Sequence, residues 1–176
     1  MAKARKVVRP PKADARSIGI KALIADGDER AFRDFMSDIF AAAATMQTLR
    51  RLTAKPFGLS STELAVMMAV SSLNSDPSIR RIADHLQISA SNVTADVGKL
   101  VKARLLAKLR DPDDARAIKV ALTEKGAKLV QEMAAALRAV NDRLFANLSK
   151  NDMTILTRLL RQIIVEGGRI VDGNGG

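Results

Sequence analysis

At 176 residues and a formal net charge of +10, with a sequence pI near 10.4, the chain has room for one ordinary core and carries the charge excess of a protein that meets a polyanion, either nucleic acid or an anionic membrane surface. It has no cysteine and one histidine, His85, which excludes disulfides, thiolate catalysis, iron–sulfur clusters and the usual zinc sites, so neither cofactor nor metal is expected. No apolar run reaches the roughly 18 residues of a membrane span, and "MAKARKVVRPPKADAR" has no apolar signal core, so a cytoplasmic location is expected.

Residues 1–27 hold seven Lys and Arg against two Asp and are broken by Pro10 and Pro11, a composition that supports no packed core. They read as a disordered basic arm, there either to attract phosphate or to keep the chain in solution. From Glu29 onward Phe32, Phe35, Met36, Ile39, Phe40, Ala43, Met46 and Leu49 follow the spacing of one apolar helix stripe, which ends near Lys55, before Pro56. "SSTELAVMMAVSSL" then places Ser60 and Glu63 at capping-box spacing ahead of a buried helix, with Met67 and Met68 as core filler.

Asp76 and Pro77 read as the start of a short helix carrying Ile79, Ile82, Ala83 and Leu86 inward. The lone His85 on that helix is a polar surface residue in this reading. In "QISASNVTADVGKLVKARLL" Ser89 is the natural N-cap, and Ile88 with Val93 makes a hydrophobic staple. Val93, Val97, Leu100 and Val101 share the inward face, leaving Ser91, Asn92, Thr94, Ala95, Asp96 and Lys99 outward. Two short helices joined by about three residues, the second opening on short polar side chains, fit a helix-turn-helix. "LLAKLR" and "RAIKVAL" are strand-like, with the acidic stretch "DPDDA" between them as a turn. Thr123 opens a long amphipathic helix, and Ser149 with Asp152 caps another.

The order and the residues resemble the MarR (multiple antibiotic resistance regulator) family. The likeness runs from Leu59 to Met133 and is densest in "IADHLQISASNVTADVGKLVKARLLAKLRDPDDARAIKVALTEKG". It implies a mainly α fold with a small two- to three-stranded β wing, a winged helix-turn-helix with N- and C-terminal dimerisation helices. The implied organisation is a basic arm over 1–27, a dimerisation helix over 28–58, a DNA-binding lobe over 59–122, helices completing the dimer over 123–170, and a flexible tail over 171–176. The resemblance also implies a homodimer on palindromic double-stranded DNA. Ser89, Ser91, Asn92 and Thr94 match the start of the recognition helix. Lys99 lies farther along its outward face, within reach of a phosphate. Arg116 matches the wing arginine placed in the minor groove, Asp114 the carboxylate that braces it, and Arg110 is a further backbone contact. Ala115 stands where the family commonly has a second arginine, Gly98 where it has aspartate, and Arg104 where a glycine often ends the recognition helix.

The function so implied is a transcription regulator, usually a repressor, released by a small effector that is an aromatic acid or its thioester. Phe35, Ile39, Phe57 and Met68 are candidates to line the effector pocket, though each reads first as plain core. An effector-independent architectural DNA binder is the alternative, separated from a regulator by its specificity ratio. A metal-dependent enzyme at Asp111, Asp113 and Asp114 is disfavoured, because a calcium loop counted from Asp111 has Arg116 and Leu122 where glycine and glutamate are needed. RNA is disfavoured as well, since five phenylalanines without tryptophan or tyrosine leave little for base stacking.

Overall fold

The computed structural model describes residues 17–23, 28–73, 76–110 and 118–173. Among them run six helices and two strands in the order α1 (Arg30–Ala54), α2 (Ser61–Ser72), α3 (Ile79–Leu86), α4 (Ala90–Lys102), β1 (Leu106–Arg110), β2 (Ile118–Leu122), α5 (Glu124–Leu144) and α6 (Lys150–Gly173). The chain divides into two compact units, residues 1–49 and 50–176.

In the first unit the end of the expected arm is tied down. The buried Glu29 carboxylate accepts the Ser17 backbone N–H at 2.8 Å, the Ser17 hydroxyl at 3.2 Å and an Arg33 N–H at 3.0 Å, and Lys21–Leu23 form a 3-10 turn. The Ser17 N–H, seconded by its hydroxyl and by the Arg33 charge, outweighs desolvation and holds the Glu29 carboxyl below its ordinary range. A lowered carboxyl stabilises the folded form above the unfolded value, about 4.3, and that contribution is lost as pH falls through the lower folded value. The Ser17 amide resonance should therefore titrate with acid at a midpoint below about 4.3, and lose the transition in Glu29→Gln. A midpoint at or above the ordinary value would show that the tether is absent.

The core of the second unit is one apolar cluster. Leu64, Val66, Met67 and Val70 of α2, Ile82 of α3, Val93, Val97 and Leu100 of α4, Leu106 and Val120 of the strands, and Val130 and Met133 of α5 are all buried in it. The α2 cap is the expected box: Ser60 Oγ accepts the Glu63 N–H at 3.1 Å, and Glu63 Oε2 accepts the Ser60 N–H at 2.8 Å. β1 and β2 pair antiparallel, Leu106 opposite Leu122 and Arg110 opposite Ile118.

The start of α3 differs from the sequence reading, because its N-cap is Ser78, whose hydroxyl accepts the Arg81 N–H at 3.2 Å, and not Asp76. Pro77 is buried, and its carbonyl accepts the Val120 N–H at 3.0 Å, while Ser78 bridges Lys119. The backbone there is spent on extending the sheet, which moves the helix start past the proline. At the C-terminus α6 runs through to Gly173, taking in three residues of the expected tail, because Ile170 and Val171 continue its apolar repeat.

Candidate nucleic-acid interface

Two left-handed turns set the two ends of α4. Gln87 ends α3 at φ 53°, and the Ile88 N–H reaches back to the Ala83 carbonyl. The turn leads directly to Ser89, the N-cap of α4, whose hydroxyl accepts the Asn92 N–H at 3.3 Å. At the other end of α4 Arg104 adopts φ 59°, with Arg104 N–H bonded to the Val101 carbonyl and Leu105 N–H to the Leu100 carbonyl. That is the Schellman pattern, and it places an arginine in the conformation glycine tolerates best.

With Val93, Val97 and Leu100 buried, the outer surface of α4 opens on Ala90, Ser91, Asn92, Thr94 and Ala95, all exposed. The Ser89 and Ser91 hydroxyls lie 3.0 Å apart, and the Thr94 hydroxyl donates to the Ala90 carbonyl at 2.8 Å. Asp96, expected outward, is buried at 6% exposure. Its position, three residues after Val93 and four before Leu100, puts it at the border of the apolar stripe, a placement helical spacing alone would have revealed.

Lys99 closes over that carboxylate. Its ammonium donates to Asp96 Oδ1 at 3.0 Å and lies 3.5 Å from Glu63 Oε1, so the side chain that caps α2 also braces α4. The Asp96 hydrogen bond and charge, then those of Glu63, raise the lysine pKa above its ordinary value. Removing the cation would leave Asp96 uncompensated in a buried site. Lys99→Met should lower the urea midpoint, and Lys99→Met combined with Asp96→Leu should recover most of the loss. A lysine serving only as a phosphate contact would leave the midpoint where it was.

The end of α4 is fastened to the start of α5. The Thr123 hydroxyl donates to the Arg104 carbonyl at 2.7 Å and lies 3.2 Å from that of Leu105, the Thr123 N–H bonds the Leu105 carbonyl at 3.1 Å, and Lys125 Nζ reaches the Ala103 carbonyl at 3.2 Å. The same Thr123 hydroxyl accepts the Gly126 N–H at 3.0 Å, so the α5 cap and the end of α4 share one side chain. Glu63, Thr123 and Gly126 were not singled out as site residues from the sequence. An isolated glycine in the first turn of α5 was the available signal.

Exposed cations flank this surface: Arg80 on α3, Lys102 in the last turn of α4, and Arg104 beyond it. Lys108 and Arg110 are exposed on one side of β1. Asp114 and Arg116, with Asp111, Asp113 and Ala115, lie outside the described residues. The four residues expected at an effector pocket fall in different units. Phe35 is exposed and Ile39 half-buried on α1 in the first, while Phe57 and Met68 are half-buried against the core of the second. No helix among the described residues is long and apolar enough to cross a membrane.

Known proteins share this architecture. Residues 48–133 match the family model described as transcriptional regulator SarA/Rot. The chain is 27% identical over 106 residues to the HTH-type transcriptional regulator MhqR of Bacillus subtilis, covering 60% of this chain and 72% of that protein. Among solved structures, the MarR/EmrR family transcriptional regulator from Acinetobacter sp. ADP1 superposes with a TM-score of 0.69 at 22% identity, over 78% of this chain and 96% of its own. CouR from Rhodococcus jostii RHA1 bound to p-coumaroyl-CoA gives 0.68 at 21% identity, over 76% and 94%. The MepR–DNA complex of S. aureus gives 0.65 at 16%, over 73% and 92%.

Proposed function

We propose that this chain, which is similar to regulators of the MarR and SarA winged-helix type, is a transcriptional regulator that binds palindromic operator DNA as a homodimer, acts as a repressor, and is released by a small aromatic acid or acyl thioester. The observation that carries the reading is the outer face of α4. Short polar side chains open the helix, so its N-terminal turns can enter a major groove without steric bulk, and the free N–H groups there attract phosphate. Lys102, Lys108 and Arg110 supply backbone contacts beside it, and the basic residues of the N-terminal arm add to them.

Arg116 is the minor-groove contact in this account, with Asp114 bracing it. Arg116→Ala should leave the protein folded, weaken operator binding, and flatten the slope of log affinity against log salt by about one unit. An unchanged slope would remove the wing from the interface.

The effector reading draws on the CouR complex with a coenzyme A thioester and on the net charge of +10, which favours an anionic ligand. An effector acts only if it binds the form that does not fit DNA better than the form that does. The test is selection of genomic DNA fragments by the purified protein, followed by aromatic acids and their thioesters added to the selected complex. Enrichment of a palindromic site, released by one of these compounds, is the expected result. Uniform recovery of all fragments would favour the architectural DNA binder instead.

A further inference from the structure

The polar side chains that open α4 are not equally available to DNA. The Ser91 hydroxyl is within hydrogen-bond distance of Ser89, the Thr94 hydroxyl donates to the Ala90 carbonyl, Asp96 is buried, and Lys99 is held between Asp96 and Glu63. Ala95 offers a methyl group and Gly98 no side chain. Asn92 is exposed, and among the described residues its side-chain amide has no partner, since only its backbone N–H is used, by the Ser89 cap.

We propose that Asn92 is the residue through which α4 recognises a base, and that the base is adenine, read at N6 and N7 in the major groove. This rests on α4 being the DNA-reading helix. A carboxamide holds one acceptor and one donor in a plane, and adenine alone presents a matching N6 donor beside an N7 acceptor on that edge. Hydroxyls pair with several bases and discriminate weakly. The lysine that would otherwise compete, as a strong and sequence-blind phosphate contact, is neutralised within the chain. Each half-site should accordingly contain one strongly required adenine.

The experiment uses the full chain and random-sequence duplexes, selected in parallel by the wild-type protein and by Asn92→Ala. The wild type should enrich one adenine position in each half-site, with replacement by guanine costing about tenfold or more in affinity. In Asn92→Ala the preference at that position alone should disappear. Replacing the adenine with 7-deazaadenine, which lacks the N7 acceptor, should weaken the wild type about three- to tenfold and leave Asn92→Ala unaffected. Scanning 7-deazapurines along the half-site with the wild type alone gives a second reading, should the variant bind too weakly to select. A wild type insensitive to every deaza substitution, or a variant that keeps the same adenine preference, overturns the assignment while leaving α4 as a DNA-reading helix. If the wild type enriches no sequence at all, the DNA-reading function fails and the assignment with it.

Discussion

Replacing Ile163 and Leu160 of α6 with glutamate should convert a dimer into monomers and lower operator affinity about a hundredfold or more, because one half-site must then be held without the other. The expectation follows from the state of α6 in a single chain. Met153, Leu156, Leu159, Leu160, Ile163, Ile164, Ile170 and Val171 recur at helical spacing, and all are exposed, Ile163 at 50% and Ile164 at 52%. Helices in water owe most of their stability to a packed face, and an apolar stripe this long left bare marks an interface. In the proposed homodimer the partner of this stripe is a second copy of the chain. Sedimentation should report the wild type at twice the monomer mass and the double variant at the monomer mass, with helical circular dichroism of the lobe retained. A variant that stays dimeric would place the interface elsewhere.

Gly126→Ala should destabilise the protein by about 2–4 kcal/mol and lower its melting temperature by roughly 5–15 °C, against the helix preference of about 1 kcal/mol in favour of alanine. A methyl group at this buried position would drive into the Leu105 carbonyl oxygen, a backbone atom that cannot swing aside. The same carbonyl accepts the Thr123 N–H, so relief requires lifting the start of α5 off the end of α4 and breaking the shared cap. Gly98→Ala is the control: nothing lies within 4 Å of its added methyl, and propensity alone predicts a gain of up to about 1 kcal/mol. Equal thermal stability of the two variants would show that the corner between α4 and α5 is not tightly packed.

The elements that depend on short-range chemistry were legible in the sequence. The Ser60 and Glu63 box, the Ser89 cap, the Thr123 cap and the Ser149 to Asp152 pair each satisfy donors within three residues, and each forms as expected. Arg104 stands where the resemblance expects a helix-ending glycine, and it adopts the left-handed conformation that glycine tolerates best. What escaped the sequence needed distance in the chain. Glu63 meets Lys99 only because α2 and α4 pack in one core, and Pro77 spends its carbonyl on Val120 more than forty residues away. Ser17 on Glu29 is of the same kind, a local tether hidden in a segment whose composition argued for none. For the candidate site, periodicity located the reading face of α4, but not which of its polar groups were already committed. That depended on the reach of Lys99 between Asp96 on α4 and Glu63 on α2, whereas the burial of Asp96 itself follows from its place in the helical repeat.

The central claim is sequence-specific recognition, and the ratio of two dissociation constants tests it most directly. One is measured on the palindrome recovered by selection, the other on a scrambled duplex of equal length and composition, both at physiological salt. A regulator of this type should bind its operator about a thousandfold more tightly or better. Affinities within about tenfold of each other would contradict the account and identify a protein that holds DNA by charge alone.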